Sequence, residues 1–366
     1  MTIVFEKRLT RSRWAAVLVP ICSVILALGV GALILIIFGI NPLRAYQVML
    51  QGSLGSGYAV SETLVKAIPL MLTGLGISIA FRMLFWNIGA EGQLAMGGIA
   101  AAYVALFLSD RLPPLLVIPM MFVLAALAGA LWGLIPAVLK AAIGVNEILT
   151  TLMMNYIAIL LVEYLYLGPW RDPEGYGFPG SAPFPEVAWL PRLTGRVHAG
   201  LIIAILAAAL LWFILARTRW GYEIRVIGEN ARAARYTGIS IGRNVVLVML
   251  LSGGLAGLAG MAEVAGLTRR LYGLTVGYGY TAIIVAWLAN LNPWGVLLVA
   301  FLMGALLVGG DQIQIAMQTP AAVALALQGA ILFFVLGGSI FVNYRVRVIR
   351  RGDGADKAID SGESNE

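Results

Sequence analysis

Apolar positions in this chain come in long runs rather than in alternation or on one face of a repeat. No charged residue occurs over 14–43, 112–139 or 244–262, and between 271 and 344 the sole charge is Asp311. A helix that crosses a bilayer needs about 20 mostly apolar residues. Each run meets that length, and the last is long enough for three passes. Helices are the expected form, since backbone polar groups in lipid must be satisfied within the segment. Barrel strands would alternate apolar and polar positions. The runs predict helices over 15–38, 60–81, 88–108, 113–139, 147–167, 199–216, 244–266, 277–291, 294–310 and 320–343. The breaks fall at Asn41-Pro42, Pro113-Pro114, Asn292-Pro293 and Thr319-Pro320, as boundary chemistry requires. The count is about ten; it becomes nine if 277–291 and 294–310 form one kinked element. The fold class is therefore all-α and polytopic.

Composition sharpens this. Hydrophobic residues make up 60% of the chain and charged ones 12%, against roughly 25% charged in a soluble domain. A soluble globular enzyme is excluded, and so is a disordered chain. One Cys and one His leave no internal disulfide and no structural zinc site. The basic N-terminal stretch and the run after it imitate a signal peptide. The run is too long for that, and Phe38-Gly39-Ile40 lacks a small-x-small cleavage pattern, so an uncleaved first helix is expected.

The net charge of +7 is explained by topology. With ten helices, one side holds Lys7, Arg8, Arg11, Arg13, Arg82, Lys140, the six arginines of 217–243 and five basic residues of the tail, together 17 of the 25. The positive-inside rule puts that side, with both termini, in the cytoplasm of a bacterial plasma membrane. No nucleic-acid partner is needed. The expected organisation is a cytoplasmic segment 1–14, a transmembrane domain 15–344 and a disordered cytoplasmic tail 345–366. The domain carries an external loop 168–198, rich in Pro and Trp, and a cytoplasmic loop 217–243.

The chemistry of an enzyme is missing. None of the four lysines lies in a Gly-rich phosphate loop, and His198 has no triad partners in sequence. No cofactor is expected in this chain; if ATP drives it, ATP and Mg belong to another subunit.

Four motifs carry a reading. In the cytoplasmic loop, Gly228-Glu229-Asn230-Ala231-Arg232-Ala233-Ala234-Arg235-Tyr236-Thr237-Gly238 predicts a short helix capped by Asn230 and ended by Gly238. Arg232 and Arg235 share its face, and Ala233 and Ala234 leave a small surface for a partner. An ordinary positive-inside loop on the headgroups is the other reading. The second motif is Asn87-Ile88-Gly89-Ala90-Glu91-Gly92-Gln93. Asn87 is placed to cap, and Glu91 lies near a positive helix end. Gly89, Gly92, Gly97 and Gly98 permit a discontinuous helix, a common feature of transport paths. A structural carboxylate that holds the helix start is the alternative. The third is Gly277-Tyr278-Gly279-Tyr280, continuing to Asn292-Pro293-Trp294-Gly295, which suits a tight hairpin or a path. The fourth is Gly129-x-x-x-Gly133 and Gly253-x-x-x-Gly257, the small faces that let apolar helices approach.

The loop motif resembles the cytoplasmic segment of ABC-importer permeases of the ribose/branched-chain amino acid group. The Asn-Ile-Gly-x-Glu-Gly-Gln stretch and the loop Gly168-Pro169-Trp170-Arg171-Asp172-Pro173 are similar to the nucleoside-importer branch. Ala289-Asn290 departs from the Gly and basic residue of many relatives. The resemblance implies a type II importer-like permease that works by alternating access. Its implied partners are cytoplasmic ATPase subunits, an external substrate-binding protein and a second permease chain, related or identical, with a nucleoside as solute. It implies that Glu229, Asn230, Arg232, Ala233, Ala234, Arg235, Tyr236 and Gly238 meet the ATPase. For a polar neutral solute, the polar positions Asn87, Glu91, Gln93 and Asn155 are taken to line the path; Glu147 reads as a helix cap. A sugar or branched-chain amino acid permease is the nearest alternative. An ion-coupled carrier would show carboxylates paired with basic residues in mid-membrane, and Lys66 is counted here on the outer side.

Overall fold

The structure is a computed structural model that describes residues 2–7, 13–320, scattered positions within 322–338, and 344–349. In chain order the elements begin with strand β1 (Thr2–Lys7) and helices α1 (Arg13–Ile37), α2 (Pro42–Leu54) and α3 (Gly57–Arg82). Helix α4 (Ala90–Tyr103) runs on through a π-turn at Val104–Leu108, and α5 (Pro114–Ile143) and α6 (Glu147–Leu167) follow. The loop 168–198 holds strands β2 (Arg192–Thr194) and β3 (Val197–His198). Then come α7 (Gly200–Arg217), α8 (Arg219–Glu229), α9 (Ala231–Tyr236) and α10 (Ile241–Ala262), the last extended by a π-turn at Glu263–Thr268. Helices α11 (Tyr278–Leu288) and α12 (Pro293–Met317) and strand β4 (Tyr344–Ile349) complete the set.

Helix starts follow local chemistry. The Ser56 hydroxyl accepts from Ala59 N at 3.1 Å, and Asn146 Oδ1 accepts from Ile148 N at 2.9 Å. Asn146, not Glu147, is therefore the cap of α6; Glu147 pairs instead with Lys140 at 2.7 Å. Gly144 closes α5 in the left-handed region at φ +71°, where a side chain would be disfavoured.

Among the described residues seven helices are long and apolar enough to cross a membrane, or eight if the sharply bent α1–α2 pair counts as one broken span. The expected tenth helix, 320–343, lies mostly outside the described residues. The expected helix 277–291 is shorter than predicted. As α11 it has 11 residues, about 16 Å of rise, half of a hydrocarbon core of about 30 Å.

The chain forms two compact units, Met1–Ala45 with Met317–Glu366, and Tyr46–Ala316. In the first, β1 and β4 pair antiparallel, Thr2 opposite Ile349 and Lys7 opposite Tyr344. Part of the expected disordered tail, 345–349, is thus a strand, because its alternating Val and Arg suit a two-stranded ribbon. In the second unit, α10 packs most extensively on α5 and also lies against α3 and α4. The glycines decide that contact. A side chain on Gly129 would strike the Gly253 carbonyl and Gly257, and one on Gly257 would strike the Ala125 carbonyl. Gly133 faces the Met249 carbonyl and the Gln93 amide. Gly97 abuts Gly257 in the same way. Lipid tails are as apolar as the helices, so such close approach is a main source of association.

The unit has two polar ends. A basic face carries Arg82, Lys140, α8 and α9. A cap face carries the loop 168–198, tied to α3 by Arg196 and Glu62 at 3.0 Å.

Candidate functional site

At the basic face, Thr218 caps α8, its hydroxyl accepting from Gly221 N at 3.1 Å. Asn230 caps α9, with Oδ1 accepting from Arg232 N at 3.0 Å and Ala233 N at 3.1 Å. Gly238 lies at φ +79° just past the end of α9. Arg232, Ala233, Arg235, Glu229, Asn230 and Gly238 are exposed, and Tyr236 is 93% exposed. Ala234 is the exception. It is 0% exposed and packs inward, so the small surface read for Ala233 and Ala234 is Ala233 alone. The hairpin is fastened to the spans at three points. Arg225 donates to the Leu215 carbonyl. Asn244 Nδ2 donates to Glu223 at 2.8 Å. Gly228 lies against the Arg82 carbonyl with no room for a side chain.

The spans next to this hairpin contain two irregular stretches. Segment 83–89 follows α3 on the basic face, with Leu84 at φ +58°. Segment 269–277 leads from the cap face to α11, with Arg269, Gly273 and Gly277 all at positive φ. The first delivers the N-terminus of α4 and the second the N-terminus of α11 to one point, where Glu91 stands. Its Oε1 accepts from Gly277 N at 2.8 Å and its Oε2 from Gly279 N at 2.5 Å. Gly279 is small because any side chain there would strike the Glu91 backbone. Glu91 thus sits in the first turn of its own helix and caps another 186 residues later, facing two positive helix ends at once. The discontinuity expected at Gly89, Gly92, Gly97 and Gly98 is absent. Helix α4 is unbroken despite Gly92, Gly97 and Gly98, whose role is close packing; α11 is the half-helix.

Around Glu91 the other polar candidates make separate hydrogen-bonded sets. Asn87 Nδ2 donates to Gln93 Oε1 and to Ser252 Oγ, both at 3.0 Å, and Gln93 Nε2 returns a bond to Asn87 Oδ1 at 3.1 Å. Asn155 Oδ1 accepts from Gly92 N at 2.8 Å, and its Nδ2 donates to Ile88 O at 2.8 Å and Tyr280 OH at 3.2 Å. All four residues are buried. In this conformation they face backbone and one another rather than an opening, which is the cheapest arrangement for polar groups away from water.

The other end of α11 is held as firmly. Its turn places Asn290 at φ +49° and Leu291 at φ +57°. Asn tolerates that region, whereas for Leu it costs roughly 1–2 kcal/mol. Arg82 Nε and Nη2 both donate to the Leu291 carbonyl, at 3.1 and 2.8 Å, and offset that cost. The rings of Phe81, Trp86 and Trp287 stack beside it, with Trp86 and Trp287 centroids 5.7 Å apart.

On the cap face, Ser181 N donates to Leu271 O at 3.1 Å, and Leu271 N returns a bond to Ser181 Oγ at 2.9 Å. Phe184 N donates to Arg269 O at 2.8 Å, and the Arg269 guanidinium lies 3.7 Å from the Trp189 ring centroid. His198 is buried in this cap. Its Nδ1 accepts from Gly200 N at 3.2 Å, and burial pushes its pKa down to about 4, so the ring is neutral.

Residues 59–336 match the family model described as branched-chain amino acid transport system / permease component. The chain belongs to that family. A glucose ABC transporter permease protein of Haloferax volcanii is 37% identical to it over 98% of each chain. A guanosine ABC transporter permease protein of Bacillus subtilis is 36% identical, covering 88% of this chain and 94% of its own. A nucleoside ABC transporter permease protein of Lactococcus lactis is 32% identical, covering 87% and 90%. This permease is therefore a multi-pass membrane subunit of an ABC transporter and is not itself an enzyme.

Sequence reading of the permease missed several participants. Arg82 enters the sequence reading only as one of the basic residues of the cytoplasmic side, and Ser252 is not singled out there. Gly277-x-Gly279 carried a signal, since two glycines flanking a Tyr at a helix start suggest an approach by something large. Lys66 lies in α3 one turn from Glu62, which pairs with Arg196 of the cap loop. The ion pairs among the described residues, Lys140–Glu147 and Arg196–Glu62, both sit near helix ends.

Proposed function

We propose that this permease imports a neutral, hydroxyl-rich solute of the nucleoside class. The observation that carries the reading is the likeness to the guanosine and nucleoside permeases over nearly nine-tenths of the chain. The solute arrives from an external binding protein at the cap face. Energy comes from ATP and Mg held by separate cytoplasmic subunits that seat against α8 and α9. A second permease chain, a copy or a relative, completes the pathway. The chain sits in the plasma membrane with both termini and the basic face in the cytoplasm, as the positive-inside rule favours. The exposed Arg232, Arg235 and Tyr236 beside Ala233 supply charge, an aromatic anchor and close approach, which suits a groove of a partner. Asn87, Glu91, Gln93 and Asn155 serve the junction of α4 with α11, next to the path rather than on its surface.

The glucose permease of Haloferax volcanii supports a second reading, a simple sugar. Both solutes are uncharged and rich in hydroxyls; a nucleobase adds a flat aromatic face. Uptake by the reconstituted complex separates them. Labelled nucleoside should enter with ATP and the binding protein, and excess glucose should not compete. Glucose uptake without nucleoside uptake would select the sugar reading. For the coupling surface, Arg235→Glu should abolish ATP-driven uptake while the chain still inserts; unaltered uptake sinks that assignment.

A further inference from the structure

We infer that α11 carries movement between the ATPase-facing hairpin and the cap, and that Arg82 is the positioning residue that ties it to that hairpin. The inference rests on the reading of α8 and α9 as the ATPase contact. One residue joins three elements. The backbone carbonyl of Arg82 receives Gly228 of α8 so closely that no Cβ fits between them. The guanidinium of the same residue holds the Leu291 carbonyl in the turn beneath α11 with two hydrogen bonds. A push on α8 therefore meets the end of α3 and the turn of α11 together. At its far end α11 is fastened to α4 by Glu91. The segment that leads into α11 is bonded to the cap through Leu271 and Arg269. Named contacts thus run unbroken from Gly228 to the cap.

Leu291 is held in the left-handed region where Arg82 takes its carbonyl, so in this proposal the end of α3 and the turn of α11 move as one piece, and contiguous packed elements carry the coupling.

The test uses the complete transporter, with binding protein and ATPase subunits. Arg82→Gln should keep the ATPase subunits on co-purification yet lower ATP-driven uptake about tenfold, the scale of a coupling energy along a contact chain. Stimulation of ATP hydrolysis by the loaded binding protein should fall with it. Arg82→Lys, which keeps the charge and one donor, should recover part of both. If Arg82→Gln fails to insert, spin labels in a Cys22→Ser background decide the matter, at Leu84→Cys and Asn290→Cys, both exposed positions. The distance between them should be the same with and without ATP, while the distance from Asn290→Cys to Ile148→Cys changes. Normal uptake and stimulation in Arg82→Gln, or a Leu84–Asn290 distance that moves with ATP, overturns the inference. A harmless Arg82→Gln beside an inactive Arg235→Glu strikes this inference alone. A harmless Arg235→Glu strikes the reading of the coupling surface beneath it.

Discussion

Glu91 shows how much one side chain settles. Its carboxylate is the acceptor for two backbone N–H groups that otherwise have no partner at the start of α11. Hydrogen bonds to a charged acceptor contribute roughly 1.5–3 kcal/mol each. Glu91→Gln keeps one carbonyl acceptor and turns an amide N–H toward a backbone N–H, so it should lower stability by about 2 kcal/mol. Thermal unfolding of the purified permease checks this. His198 gives a pH test. Its folded pKa of about 4 lies below its ordinary value of 6.5. The unfolded chain therefore takes up a proton first as pH falls, and stability is lost between about pH 6.5 and 4. The cost at pH 4 approaches about 3 kcal/mol. A melting temperature that declines over this window in the wild type, with a shallower decline in His198→Asn, is the expected result. At this scale the sequence was legible wherever the partner is near: Asn230 and Asn146 cap helices two and three residues away. It was silent where the partner lies far along the chain, as for Glu91 with Gly277 and Arg82 with Leu291.

The helices divide in the same way. Charge-free runs reveal a full span because length alone decides it, and α3, α5, α6, α7 and α10 fall close to their predicted bounds. The half-helix α11 was hidden because 271–344 is apolar almost throughout, and hydropathy does not distinguish a helix from an irregular stretch buried in protein. That stretch is tolerated at depth since its N–H and C=O groups meet Glu91 and the cap. The α5–α10 contact is the most extensive helix packing in the unit. Gly257→Val would drive a side chain into the Ala125 carbonyl and the Gly129 backbone. Backbone on both sides cannot move aside, so the loss should exceed the roughly 1–3 kcal/mol of ordinary overpacking. The protein should then fail to run as a single species in size-exclusion chromatography in detergent. Gly254→Ala, whose Cβ would stand 3.5 Å or more from its neighbours, should be tolerated.

For the molecule as a whole, orientation is the claim with the widest reach. Tyr236 and Tyr176 are 93% and 98% exposed on the basic and cap faces. With Cys22 removed, Tyr236→Cys should react with an impermeant maleimide only in inverted vesicles, and Tyr176→Cys only in intact cells. The reverse pattern would overturn the proposed topology. The junction at Glu91 has an electrical consequence as well. Each helix N-terminus is equivalent to about half a positive charge, with the matching negative charge at its other end. The ends of α4 and α11 therefore screen the Glu91 carboxylate locally, while the helices themselves add no net charge. The carboxylate is the charge of this junction that works against the membrane voltage when the junction moves, and a unit charge crossing the whole field is worth about 2.3 kcal/mol per 100 mV. Glu91→Gln should therefore make turnover less sensitive than the wild type to an imposed potassium-diffusion potential.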